Sequence, residues 1–194
     1  ATSEPCCTSI RISRTPPPPD SERLQSKEEQ ELINDPEITD KGLTGEVFYE
    51  QVIAAYLDAN GEPPLHDGLD PLERELTESQ LDAMVKVIDA NQEIINAEGL
   101  AFKGFIPAIF ARLVNEQFAL QMGAVAKVKV TAPMALVRNR MARPDTWENM
   151  VIEDKFQTAS WPVGQAFYED TDVSGAPAFR MLIPEYYSES CLAC

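Results

Sequence analysis

The hydrophobic period of this chain changes once, near residue 125, and that change limits the fold more than any other feature. From Thr44 onward the period is helical: Phe48, Val52, Ala55, Tyr56 and Ala59 recur on one face until Asn60-Gly61 supplies a stop. The stretch NGEPPLHDGLDP then reads as a loop. A second helix is expected to open with TESQ, Thr77 capping and Gln80 reaching back, and to bury Leu81, Met84, Val85, Ile88 and Ile95 before Gly99. A third starts at Pro107, which suits a first helical turn, and turns Ile109, Phe110, Leu113, Val114 and Phe118 inward before Gly123. In AVAKVKVTAP the period drops to two, with Val128 and Val130 alternating with Lys127 and Lys129; this predicts a strand with one buried and one wet face. A helix restarts at Pro144, where Asp145 and Glu148 complement its positive end. GQAFYED, a turn at TDVSGAP and AFRMLIPEYY complete a hairpin. Helices followed by locally connected strands predict an α+β domain around an antiparallel sheet. Only about three strands are visible, few for a sheet that supports several helices, so further strands are expected beyond Cys194.

Ahead of this domain, assigned to residues 43–194, residues 1–42 form an extended or disordered arm. Four consecutive prolines, Pro16 to Pro19, and the charged SERLQSKEEQE leave it too little apolar surface to fold alone. The prolines favour polyproline II, a stiff spacer that either stays solvated or lies along a partner.

Thirty-two acidic against sixteen basic side chains give a net charge of −16, which repels nucleic acid phosphates and anionic lipid alike. A general nucleic acid binder is excluded on that ground, and the expected partner is a protein face bearing lysine and arginine. No run approaches the roughly 20 apolar residues needed to cross a bilayer, so the chain is expected to be peripheral rather than transmembrane. No charged-then-apolar leader precedes Ala1, which suits a chain that starts after a removed targeting peptide or at an internal point.

The four cysteines stand as two pairs at the extremes, Cys6 with Cys7 and Cys191 with Cys194, a spacing unlike a disulfide scaffold. A redox C-x-x-C needs its first thiolate at a helix N-terminus, and a structural zinc needs four ligands from a pool that offers only Cys6, Cys7 and His66 besides. His66 lies alone in a proline and glycine loop, and no Gly-rich phosphate loop is present. No residue pattern specifies a catalytic machine, so the expectation is a protein that is not an enzyme. Against the acidic background Lys127, Lys129, Arg138, Arg140 and Arg143 crowd five cations into seventeen residues. Such a patch either holds an anionic group or acidic partner surface, or pairs with the excess carboxylates to fasten the loop before Pro144.

Three stretches, AFKGFIPAIFARLVNEQF (101–118), VKVTAPMALVRNRMARPDTWE (128–148) and FRMLIPEYYSESCLAC (179–194), together resemble the PAS-like c-type haem-binding domain family of cyanobacterial cytochrome-like proteins and bacterial sensor domains, with relatives in algal plastids. The resemblance rests on Arg138 and Asn139, then Pro144, Asp145, Trp147 and Glu148, then Phe179 and Arg180, and finally Cys191 and Cys194. It covers roughly residues 45–194 and implies a PAS-like antiparallel sheet packed with the N-terminal helices, the motif residues being structural. The family's Arg-Asn-Pro step reads Arg-Asn-Arg at 138–140, and the histidine expected after Cys194 is not in this sequence. Haem c at Cys191 and Cys194 is therefore expected only where a histidine follows Cys194, and otherwise no cofactor.

The resemblance implies two functions. The first is a non-catalytic peripheral subunit of a thylakoid photosynthetic complex in a plastid, photosystem I being the first choice, docking to protein subunits with basic surfaces on the stromal side. The second is a c-type haem electron carrier or redox or ligand sensor, which would sit in the lumen.

Overall fold

The computed structural model describes residue 35, residues 37–99 and 107–186, and the backbone of Pro5–Ser9. These residues fall into two compact units, one within Pro17–Ala126 and one drawing on Ala1–Pro16 and Lys127–Cys194. The second boundary coincides with the change of hydrophobic period. From residue 45 on, helices precede the strands as expected, whereas a strand at Pro5–Ser9 comes before all of the helices; the architecture is mixed helix and antiparallel sheet, compatible with α+β. Most of the expected arm, residues 10–34, and Cys191 and Cys194 lie outside the described residues.

In the helical unit, α1 (Gly45–Asn60) opens where Thr44 Oγ1 accepts the Val47 N–H and closes at Gly61, whose φ of 77° favours a residue without a β-carbon. Its expected face is half-buried at Phe48, Val52 and Ala55, while Tyr56 and Ala59 are exposed. The next helix, α2 (Pro71–Ala90), starts seven residues earlier than a cap at Thr77 implies. Its cap is Asp70: the carboxylate accepts the Glu73 N–H at 2.9 Å and Glu73 accepts the Asp70 N–H at 3.1 Å, with Pro71 in the first position. Thr77 is inside the helix, its hydroxyl donating to the Glu73 carbonyl at 2.8 Å. A break at Asn91 separates α2 from the single turn α3 (Gln92–Ile95), and α4 (Pro107–Met122) completes the unit. Leu81, Ala83, Val87, Ile88, Ile95, Val114, Phe118 and Met122 are buried, and Phe48 meets Phe110 edge-on at 5.2 Å.

In the second unit the sheet runs β2-β1-β4-β3, every pairing antiparallel, with β1 Pro5–Ser9, β2 Val130–Thr131, β3 Phe167–Val173 and β4 Ala176–Tyr186. The hairpin β3–β4 turns on Ser174 and Gly175, both at positive φ, which matches the right-handed twist of the strands. The β4 edge away from β3 is occupied by β1, a strand from the segment expected to form an arm. Only Val130 and Thr131 of the expected strand at 127–131 are paired.

Helix α5 (Thr146–Val151) continues directly into a π-helical turn, Ile152–Phe156. Val151, Ile152, Phe156 and Leu182 form a core cluster against which Trp147, Trp161 and Phe167 pack. Burial of side chains of this size stabilises by about 1.5–3 kcal/mol each. This core fixes α5 against β4, and that placement builds the site.

Candidate functional site

The segment RPDTWE starts a helix for local reasons. Pro144 is buried and precedes Asp145, the N-cap, whose Oδ1 accepts the Glu148 N–H at 2.9 Å; Glu148 Oε2 accepts the Asp145 N–H at 2.7 Å. This capping box satisfies two backbone donors that a helix start otherwise leaves open. It also points both carboxylates at β4.

Arg180 on β4 meets them there. Its Nη2 donates to Asp145 Oδ2 at 2.7 Å and lies 3.6 Å from Glu148 Oε1. The guanidinium carbon stands 4.3 Å from the centre of the Trp147 ring, a cation–π distance. Glu169, the direct cross-strand partner of Arg180, accepts the Trp147 indole N–H. Register thus sets an acid and a cation side by side on one face, and a single indole uses both, by its edge and by its face.

Glu148 is 1% exposed, the most buried acid among the described residues. Besides the cap it accepts from Lys129 Nζ at 2.6 Å, and Lys129 also donates to the Arg143 carbonyl at 2.8 Å. Burial of a lone carboxylate is costly, so these donors are a condition of the fold. Partial burial pushes the Asp145 carboxyl up, but the Glu148 amide, the Arg180 guanidinium and the Lys129 charge together outweigh it and hold the group below its ordinary value. Every member of the cluster is occupied by another, which suits a clamp between α5 and the hairpin. No nucleophile stands beside a free base in it.

The structure therefore brings Asp145, Trp147, Glu148 and Arg180 together and adds Lys129 and Glu169, whose roles the sequence did not reveal. The expected wet face at Lys127 and Lys129 holds only for Lys127, because Lys129 turns inward to Glu148. Phe179 points the other way from Arg180, is 45% exposed and pairs with Tyr168 at 5.9 Å. Asn139 is exposed and caps the short 3-10 turn Arg140–Ala142 by accepting the Met141 N–H at 3.0 Å.

The basic patch splits in the same way. Lys129 is paired, whereas Lys127, Arg138, Arg140 and Arg143 are exposed and have no ion pair among the described residues. Fastening the loop by pairing with carboxylates thus falls to Lys129, and the three arginines face outward. His66 Nδ1 accepts the Gly68 N–H at 3.1 Å and closes its own loop. Among the described residues no cluster of three or more His, Cys, Asp or Glu is arranged to hold a metal. No helix among them is long and apolar enough to cross a membrane.

Comparison with family models places the chain in a cyanobacterial cytochrome-like class of domain. The chain belongs to the Tll0287-like family, whose model matches residues 47–194. No curated protein and no solved structure matches the chain. The match leaves β1 outside it and takes in Cys191 and Cys194.

Proposed function

We propose that this chain is a non-catalytic peripheral subunit of a thylakoid photosynthetic complex, photosystem I in the first place, whose PAS-like framework serves docking and stabilisation of the assembly. The observation that carries the reading is the mutual pairing of four of the motif residues. Asp145, Trp147, Glu148 and Arg180 bond to one another, to Lys129 and to Glu169, so these residues of the family motif spend their bonds on maintaining a shape. Membership of a cyanobacterial cytochrome-like family supports a photosynthetic setting. The excess of acids suits a stromal partner face rich in lysine and arginine.

The family match favours a second reading, because it includes the terminal Cys191-x-x-Cys194. Thioether bonds at those two sulfurs would hold a haem whose iron supplies one-electron chemistry, and the chain would then serve electron transfer or sensing. In that case the clamp described above would orient the hairpin that leads into the cysteines.

Native purification from thylakoids separates the two. Docking predicts co-migration with a photosystem on a density gradient, an intact mass equal to that of the polypeptide and no Soret band. A haem adduct with a Soret band overturns docking in favour of redox function. Migration as a free monomer, with no photosynthetic component attached, removes the thylakoid subunit reading.

A further inference from the structure

Between Glu116 and Asp145 the sequence contains no acid, although the chain carries thirty-two. Within that interval residues 131–143 form a loop whose base is stapled: the Thr131 hydroxyl, on a residue 2% exposed, donates to the Ala142 carbonyl at 2.7 Å, and Lys129 Nζ grips the next carbonyl, that of Arg143. Inside the loop a turn closes from the Leu136 N–H to the Pro133 carbonyl at 2.8 Å, and the 3-10 turn closes from the Ala142 N–H to the Asn139 carbonyl at 3.1 Å. Met134, Leu136 and Met141 are 49%, 53% and 82% exposed on it. Arg138, Arg140 and Arg143 stand among them, exposed and without an ion pair among the described residues.

We propose that this loop is a docking knuckle for an acidic protein surface, a segment that presents carboxylates interleaved with apolar side chains. The reading rests on the docking function proposed above and assigns it a face of the opposite sign to the rest of the molecule. Exposed methionine and arginine are the residue types enriched at protein interfaces, and a guanidinium fork takes a carboxylate through two parallel bonds. The staples and turns fix the loop before binding, which removes part of the ordering cost of association. A nucleic acid backbone would leave Met134, Leu136 and Met141 without apolar partners. An anionic bilayer would confront the chain's acidic majority as well as this loop, and the loop has none of the aromatic residues typical of an interfacial anchor.

The test titrates the isotope-labelled full chain with a short synthetic peptide alternating glutamate and leucine and follows backbone amide resonances. Saturable shifts confined to residues 131–143, weakened by added salt, are expected. R138Q/R140Q should weaken the peptide about tenfold, and M134S/M141S should weaken it by a smaller factor. K86Q and R112Q, which remove cations already paired with Asp82 and Glu116 on helices, should leave it within about twofold. All four variants change exposed side chains, and unchanged circular dichroism will confirm their folds. Absent or scattered shifts overturn the proposal, as does equal sensitivity to K86Q. Loop broadening with anionic but not zwitterionic nanodiscs, without peptide binding, overturns it in favour of lipid. Shifts that emerge only after Glu28, Glu29 and Glu31 are changed to glutamine overturn it in favour of an intramolecular contact. Rebinding to salt-washed photosystem I particles is scored separately. Peptide binding without rebinding sinks the photosystem reading alone, and rebinding without peptide binding sinks the knuckle alone.

Discussion

In the helical unit the ion pairs of the helices lie along exposed faces; in the sheet unit they converge on Glu148, a buried acid at the start of α5. Lys86 and Asp82, or Arg112 and Glu116, bridge one helical turn at 2.7 Å with all four side chains at least 43% exposed. Pairs of this kind contribute a few tenths of a kcal/mol, because water and salt compete for both partners. Glu148 and Lys129 are 2% and 30% exposed as side chains, and Arg180 is 16% exposed. Equal bond lengths therefore conceal unequal consequences: where solvent cannot replace a lost partner, the remaining charge bears its own desolvation.

The strongest way to break the contrast is to remove the buried acid. Glu148→Ala takes away the acceptor of Lys129 Nζ and of the Asp145 N–H, and leaves Arg180 with one carboxylate instead of two. The expected loss is about 3–5 kcal/mol. Glu148→Gln keeps a carbonyl oxygen in place and should lose less. Both tryptophans of the chain, Trp147 and Trp161, lie in the sheet unit, so fluorescence-detected urea unfolding measures the effect there. A loss below about 1 kcal/mol for Glu148→Ala would place this clamp in the same class as the exposed helical pairs.

A smaller effect sharpens the other side. Among the close polar latches between elements of the helical unit is the Gly45 N–H donating to Asp89 Oδ1 at 2.7 Å. A β-carbon built on Gly45 would stand 2.7–2.8 Å from the Asp89 carboxylate, so Gly45→Ala must push that group away and break the latch. Glycine at the first turn of a helix would otherwise gain from alanine by helix propensity. The contact should win, with a net loss of about 1 kcal/mol read from the urea transition of the helical circular dichroism signal at 222 nm. A stabilised Gly45→Ala would show that Asp89 moves aside at no cost.

Much of this contrast was legible in the sequence, and what was not has physical reasons. Local signals read well: Thr44 and Gly61 bracket α1, and the Ser174-Gly175 turn joins the hairpin. The start of α2 was misplaced because its first turn exposes Leu72, so the apolar period begins late while the cap Asp70-Pro71-Leu72-Glu73 lies upstream of it. The motif residues were recognised by resemblance, yet nothing local announced that Lys129 serves Glu148 from nineteen residues away or that Glu169 serves Trp147 from twenty-two. Those bonds depend on strand register and on the packing of α5, which are non-local quantities. Likewise β1 pairs with β4 across nearly the whole chain, and the composition of its neighbourhood indicated only extension. Alternation at 127–130 suggests a strand with a wet lysine face, yet only Val130 and Thr131 pair and only Lys127 is exposed, since the stem of Lys129 crosses apolar surface to reach a buried acid.

The smallest expected effect compares two aspartates whose carboxyls both titrate below the ordinary value. Asp82 in the helical unit is held down chiefly by its bond from Lys86, then by Gln121, while burial opposes. For Asp145 burial again opposes, and the Glu148 amide, Arg180 and Lys129 overcome it. A depressed folded pKa means that each group's contribution is fully present above the unfolded value, near pH ~4, and is lost as pH falls through the folded value. Asp82→Asn and Asp145→Asn should therefore destabilise at neutral pH, with the difference from wild type shrinking only below about pH 4. Salt distinguishes them. The Lys86 bond is an exposed ion pair that added salt weakens, whereas the Glu148 N–H that Asp145 accepts belongs to a helix cap and carries no mobile counterion. High salt should erase most of the Asp82→Asn effect and leave most of that of Asp145→Asn, as read from the 222 nm and fluorescence transitions respectively. If salt erases both equally, Asp145 acts through Arg180 alone and its cap is dispensable.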